Sequence, residues 1–324
     1  PTELWSALEE NGLTRALVPE DQGGAGLGWQ DVYPVLHAAG YHAAPVPLAE
    51  TIIAGWLLSQ AGMTVPDGVI SLAENEFALK LTGGEGAWRV SGQVDNVPWG
   101  GSAGHVLAVN GYAKQNKFIL LEKDSLSARP DKNIGRDPRA AVRVFDATPA
   151  ALADVPAKLN YDTVRHVGAL ARSVQMAGAI SAVLDLCVKY AGDRAQFGRP
   201  LAKFQAIQHQ LAGLAGEAAA AQIAAQYACR FVDVSGSTAS AHPAICTAKI
   251  RSGESAGKAA AIGHQVHGAI GFTDEYRLHY LTRRLWSWRS EFGAESFWAA
   301  QLGEFITTRD AGDLWPYITS LPVE

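Results

Sequence analysis

The sequence predicts an α+β protein in three consecutive parts: an α-helical N-terminal domain over residues 1–66, a middle antiparallel β domain over 67–156 and a C-terminal four-helix bundle over 157–324. Three observations carry this reading. Apolar residues recur at helical spacing up to about Ala61, the period changes to two near Val69, and helical spacing returns after Asp162. Strict alternation puts every second side chain on one face, which buries a sheet but cannot bury one face of a helix.

In chain order, Leu4, Leu8 and Leu13 mark a first helical piece, and Val32, Val35, Leu36 and Ala39 a second. Between them Val18–Gly28, with Pro19 and four glycines, reads as a loop. In the middle part Ala87–Gly92, His105–Val109 and Lys117–Leu121 read as short strands divided by glycine, asparagine and aspartate turns. Asp162 is a candidate N-cap for a helix whose apolar stripe runs through Val167, Leu170, Val174, Ala177, Ile180, Leu184 and Val188. At 1.5 Å per residue that helix is about 45 Å long. Further helices are expected from Phe204 to Val232, from behind Pro243 to about His267, and from Tyr276 onward. The run Ala218–Ala221 then serves close helix packing.

Composition narrows the function. Lys and Arg number 27 against 32 Asp and Glu, a net charge of −5, which disfavours nucleic acid or any other polyanion as the partner. With 48% hydrophobic and 18% charged residues the chain has the apolar mass for a folded core. Cys187, Cys229 and Cys246 stand singly, without disulfide or zinc spacing, so a reducing, cytoplasmic setting is expected. No apolar run approaches the length of about 20 residues that spans a bilayer, and Pro1–Trp5 lacks the order of a signal peptide. An opening on Pro1, already in a helical pattern, leaves the true N-terminus open.

Two segments carry chemistry. In the first, Arg194 leaves the end of the long helix and is followed by Gln196, Phe197, Gly198, Arg199, Pro200 and Leu201, then Phe204 and Gln205. Gly198 and Pro200 break the chain and hold the guanidinium in a turn, where it either binds a pyrophosphate as a fixed bidentate donor or complements a helix C-terminal dipole. The second segment runs from Gln265 through His267, Gly268, Ala269, Ile270 and Gly271 to Tyr276. Gly268 and Gly271 let main-chain amides approach a ligand, or simply stop a helix. His264 and His267 share a helix face but have no third ligand nearby, so packing or cofactor contact is expected rather than a metal site. Trp286, Trp288 and Trp298 read as core.

Together these segments resemble the acyl-CoA dehydrogenase family of flavoproteins. The Val18-Pro19-Glu20 loop with its glycines and the turn Val94–Pro98 resemble that family's N-terminal and middle domains, so the likeness covers nearly the whole chain. It implies FAD as cofactor, an acyl-CoA substrate in a pocket between bundle and β domain, electron-transfer flavoprotein as electron acceptor, and a homo- or hetero-oligomer, dimer or tetramer. By the same likeness Arg194 meets the FAD pyrophosphate of a neighbouring subunit. Gln196, Phe197, Leu201, Gln205, Gln265, Gly268 and Ala269 fall at cofactor-binding positions.

The chain departs from the family where the chemistry is done. The family removes an α-proton with a glutamate while a hydride passes from the β-carbon to the flavin. That glutamate precedes a glycine after the last bundle helices, and counted from Gln265 its position here is Phe292, in Glu291-Phe292-Gly293-Ala294-Glu295. The family's other base location, early in the long helix, corresponds to Val167–Leu170 and has no acid. The Thr-Glu-Pro stretch that contacts flavin and acyl group is matched only by Leu72–Phe77. Three readings stay open: a dehydrogenase with a relocated base, Glu291 or Glu295; the FAD-contributing, base-lacking subunit of a heteromer, an arrangement the family uses for bulky acyl-CoAs; or a binding or scaffold protein without turnover.

Overall fold

The computed structural model describes residues 2–74, 78–84, 86–110, 116–159, 162–310, 312 and 314–319. Helices α1 (Thr2–Glu10), α2 (Trp29–Tyr41) and α3 (Leu48–Gln60) precede eight strands: β1 (Ile70–Ala73), β2 (Leu79–Thr82), β3 (Arg89–Pro98), β4 (His105–Asn110), β5 (Lys117–Glu122), β6 (Leu126–Lys132), β7 (Pro138–Ala147) and β8 (Ala151–Asp154). The bundle consists of α4 (Thr163–Asp193), α5 (Gln205–Ser235), α6 (His242–His267), α7 (Leu278–Ser290) and α8 (Glu295–Thr307), followed by the short α9 (Leu314–Thr319). A two-residue hairpin, β9 (Ala195–Gln196) with β10 (Arg199–Pro200), joins α4 to α5. This is the helix, sheet, bundle order that the hydropathic period predicts.

The strands form two packed four-stranded sheets, β1-β4-β5-β8 and β2-β3-β7-β6. Pairing is antiparallel as expected, apart from β1 with β4, which run parallel because the β2–β3 excursion into the second sheet returns the chain in the same direction. The first sheet is covered twice. Val106, Ala108, Ile119 and Leu121 face the second sheet, whereas Leu107, Val109, Phe118 and Leu120 face the N-terminal helices. Strands buried on both faces read as continuous apolar runs, and β4 and β5 do so, while β2 at the edge of the second sheet alternates. The expected turn at Val94–Pro98 is the end of β3, where an irregular register and a left-handed Asn96 bend the strand.

Helix α4 is the axis of the molecule. Its most apolar window is long enough to cross a membrane by composition, but 89% of it is buried under α2, α5, α6 and α7. Asp162 takes the N-cap position, yet its carboxylate lies 3.4 Å from Arg165 rather than on the helix amides. Helices α2 and α4 touch backbone to backbone: a Cβ at Gly40 would lie 2.0 Å from the Gln175 carbonyl oxygen and one at Gly178 2.0 Å from that of His37, so both positions require glycine. The N-cap of α2 is Gly28, which has no side chain to cap with, and Asp31 in the first turn accepts only the Gly28 amide, at 3.1 Å. The Trp29 and Gln30 amides instead donate to the Asp233 carboxylate near the end of α5, each at 2.8 Å. Trp288 and Trp298 are core residues as expected, whereas Trp286 is half exposed. All three cysteines are free and buried.

Two stability predictions follow from these contacts. Asp233→Ala leaves two α2 amides without acceptors and is expected to lower unfolding free energy by about 1 to 2 kcal/mol in urea titrations. The second concerns His166, whose Nε2 lies 2.7 Å from His242 Nδ1 beneath Trp298. Burial, with help from His242 and Arg165, pushes its pKa from 6.5 down to about 4 despite the Asp162 carbonyl on Nδ1. Between these values the unfolded chain binds a proton that the folded chain refuses, so this contribution is whole above pH 6.5 and is lost as pH falls towards 4. Replacing both histidines by glutamine is expected to flatten the acid limb of a thermal stability profile.

Candidate cofactor cavity and the corner at Glu291

The two sequence segments converge. Arg194 caps α4, its amide bonded to the Tyr190 carbonyl at 2.9 Å and its carbonyl to the Leu201 amide at 2.8 Å, so the hairpin is pinned at its base. The end of α6 arrives alongside and stops at Gly268, whose φ of 61° and ψ of −139° suit glycine alone. Between them lies an open cavity of about 540 Å³ lined by Arg194, Gln196, Leu201, Gln265, Gly268 and Ala269, six of the residues named from the sequence. Phe197 and Gln205 are not on its wall. Phe197 stands at the hairpin tip, 90% exposed and left-handed at φ 52°, and Gln205 opens α5 on the surface. Gly271 packs against His267 and Leu278 instead of facing a ligand.

The cavity also has walls that the sequence did not single out as such. Tyr190 stacks on His267 at 4.6 Å, and His267, its Nδ1 fixed by the Gly263 carbonyl at 2.7 Å, meets the Tyr276 hydroxyl through Nε2 at 3.0 Å. That tautomer makes Tyr276 the donor. Among the described residues the Arg194 guanidinium has no ion-pair or hydrogen-bond partner, and neither has the Gln265 amide. An unpaired cation and a free amide over a cavity this size fit the pyrophosphate side of FAD.

The second feature is the corner between α7 and α8. Glu291, almost fully buried, binds Arg172 Nε through Oε2 at 2.8 Å, and its Oε1 accepts from Arg139 and from Asn133 Nδ2 at 3.1 Å. Arg172 reaches further, to Glu50 at 2.5 Å and to Gln175 at 2.5 Å. Burial alone would raise the pKa of Glu291, but Arg172 and Arg139 outweigh it and hold the carboxyl at about 2. Both oxygens of the candidate base are thus committed. Glu295, the other candidate, pairs with Arg289 at 2.5 Å. Arg172 and Glu50 were legible only as charges inside apolar helical runs.

Phe292 is buried with a left-handed φ of 54°. Its turn is held from three sides: the Trp298 indole donates to its carbonyl at 2.9 Å, Glu74 accepts from its amide, and Lys249 Nζ donates to the Arg289 and Gly293 carbonyls at 2.7 Å each. Burial brings that lysine down to about 8. The Phe292 ring lies against Gly168, where a Cβ would come within 2.3 Å of it. Of the stretch Leu72–Phe77, residues 75–77 lie outside the described residues.

Residues 164–304 match the family model for the acyl-CoA dehydrogenase C-terminal domain. The chain is 28% identical to acyl-CoA dehydrogenase IpdE2 of Mycobacterium tuberculosis over 87% of its own length and 79% of that protein. Among solved structures it is similar to a variant of the Tcur3481-Tcur3483 steroid ACAD, with a TM-score of 0.85, 26% identity, and coverage of 95% of this chain and 89% of the other. The ChsE4-ChsE5 complex of Mycobacterium tuberculosis shares the fold, with a TM-score of 0.87, 21% identity, and 96% and 89% coverage.

If Arg194 holds the pyrophosphate, Arg194→Ala is expected to weaken FAD binding by about 10- to 100-fold, the worth of a charge-assisted hydrogen bond. Flavin fluorescence titration of the assembled protein measures it; equal affinity in the variant assigns Arg194 to the helix dipole instead.

Proposed function

The chain belongs to the acyl-CoA dehydrogenase family, and on that footing we propose that it is the base-free subunit of a two-component dehydrogenase that desaturates an acyl-CoA thioester. The observation that carries this is the meeting of Phe292 with Gly168. The family's two alternative base positions coincide in space here, and one phenyl ring fills both. A phenyl ring accepts no proton, so the carboxylate that takes the α-proton belongs to the partner. Glu291, salt-bridged twice, acts in this reading as a structural anion.

What the chain contributes is the cavity at the other end of α4. FAD, when bound, supplies the hydride acceptor. Arg194 neutralises its pyrophosphate, Gln265 and the Gly268 turn offer neutral hydrogen bonds, and the rigid hairpin carries Phe197 outward towards the neighbouring chain. Gly168 and Arg194 lie 26 residues apart along α4, about 39 Å at 1.5 Å per residue, too far for one dinucleotide to serve this chain's own base corner. The likeness to a steroid ACAD supports a bulky, ring-bearing acyl group as substrate and a pair of different chains as the working unit. Electron-transfer flavoprotein fits as the acceptor, as for the family.

Assayed with an artificial electron acceptor, the chain alone is expected to be inactive on acyl-CoAs, and activity is expected to appear on mixing with a paralogous chain that carries glutamate at the Phe292 position. Glu291→Gln is expected to lower stability by about 3 kcal/mol or more, since it leaves buried arginines undercompensated. Turnover by the folded mixture is expected to survive it with an unchanged pH profile. Robust activity of the chain alone that disappears in folded Glu291→Gln would establish a relocated base.

A further inference from the structure

The wall of the Arg194 cavity contains one group whose charge can change near neutral pH. Among the described residues that line it, Tyr190, Arg194 and His267 are ionisable and none is acidic. Arginine stays charged and tyrosine stays neutral through that range, which leaves His267. The residue is only 3% exposed, and its bonds settle its tautomer. Nδ1 carries the proton that it donates to the Gly263 carbonyl at 2.7 Å, so Nε2 is bare and accepts from the Tyr276 hydroxyl at 3.0 Å. Burial holds its pKa below 6.5, although its backbone bonds to Gly263 and Leu186 pull the other way.

Nothing that faces the ring supplies a counter-ion. From α4 come the stacked Tyr190 and the Cys187 thiol, 4.0 Å from Nδ1 and kept protonated by burial. From α6 comes His264, one turn earlier, which lines a separate hollow with Phe272 and Trp286. Ahead of α7 stands Tyr276, on whose hydroxyl Asp193 and Arg277 act in opposite directions. Among the described residues no carboxylate forms an ion pair with the imidazole, so an anion that would favour its charged form has to come from a ligand.

A proton has a way in. Tyr190 and Tyr276 also line a second hollow, of about 460 Å³, shared with Tyr41, Leu186 and Arg277. Water there can give a proton to the Tyr276 oxygen as Tyr276 passes its own to Nε2. The imidazolium then donates from Nε2 to the Tyr276 oxygen, and the tyrosine hydroxyl turns its new proton towards the hollow. One proton is taken from water and one positive charge appears on the ring.

We propose that His267 is a cofactor-binding residue that takes up a proton as FAD enters the Arg194 cavity, so that the pyrophosphate meets two cations instead of one. The proposal rests on the placing of FAD in this cavity and adds to it a second, titratable charge. Linkage fixes the sign: a dianion beside the ring favours the imidazolium, and by reciprocity the imidazolium favours the dianion. FAD affinity therefore rises as pH falls through the range in which the ring titrates, and is flat above it.

Calorimetric titration of FAD into the assembled, flavin-stripped protein at pH 6, 7 and 8, in two buffers of different ionisation enthalpy, measures affinity and proton uptake together. Affinity is expected to rise about threefold from pH 8 to pH 6, as follows from a pKa raised by about one unit on binding, with a fraction of a proton taken up per FAD at pH 6. His267→Gln keeps a donor and an acceptor but cannot ionise, and should bind FAD with neither the slope nor the uptake. Tyr276→Phe keeps the imidazole and removes the donor that holds it neutral, so it should move the slope to higher pH; this variant decides the matter if glutamine disturbs the end of α6. His264→Gln should leave both readouts unchanged. Absence of uptake in the wild type, uptake that survives His267→Gln or vanishes in His264→Gln, or an unmoved slope in Tyr276→Phe overturns the inference while FAD binding at Arg194 stands. Assembled protein that takes up no FAD at any of the three pH values overturns the placing of the cofactor, and the inference with it.

Discussion

The structure depends on a chain of ions that runs Glu50, Arg172, Glu291, Arg139 through the junction of the three parts. None of the four side chains is appreciably exposed; the first bond joins the N-terminal part to the bundle, the last joins the β domain to the bundle, and the middle one ties α4 to the α7–α8 corner. Such a cluster adds little net stability over an apolar core, because desolvation of the ions offsets much of their attraction. It adds geometry. A guanidinium that must satisfy two carboxylates at once fixes their separation, and here it fixes the angle between α3, the β7 strand and the α7–α8 corner. Arg172 also lies near the Trp288 and Phe292 rings, 5.9 and 5.6 Å from their centroids, so the cation is enclosed on its flat faces as well as its edges.

How much of this was legible follows from what period and motif can report. Period distinguishes helix from sheet, so the three-part order and the long α4 were readable from Val167 to Val188. It says little about a strand covered on both faces, which is why β4 and β5 were found as apolar runs bounded by turns and why β1, next to them, was not named. Motif found the cavity, because Arg194, Gln196 and Leu201 stay close in sequence and Gln265, Gly268 and Ala269 follow a helix end. Neither signal reaches the ion chain. Its members stand at positions 50, 139, 172 and 291, and a lone glutamate or arginine in an apolar helix announces burial without announcing its partner. Asp233 capping α2 from 203 residues away is the same case.

Helix α4 gives the molecule its functional geometry. It presents its first turns to the corner at Phe292 and its last to the cavity, and its rigidity keeps those ends apart. A ligand held at Arg194 would lie at the opposite end of α4 from this chain's own corner. The exposed hydrophobics around that end, Ile270, Phe272 and Phe197, are what a neighbouring chain would cover.

More than one residue shapes the corner at Phe292. A glutamate placed at 292 would enter a pocket already occupied by Arg172, which draws down the pKa of Glu291 next door, and a carboxylate beside that guanidinium would be held ionised and paired instead of ready to accept a proton. It would also lose the contact with Gly168, the one residue on α4 whose lack of a side chain makes space for the ring. The left-handed turn at Phe292 persists because Lys249, Trp298 and Glu74 hold it from three different elements, and those holds act on its backbone, independent of the side chain it carries. Backbone, charge and packing at the corner thus agree on a filled pocket, in which a carboxylate at 292 would stand unpaired only if Arg172 were released from the corner as well.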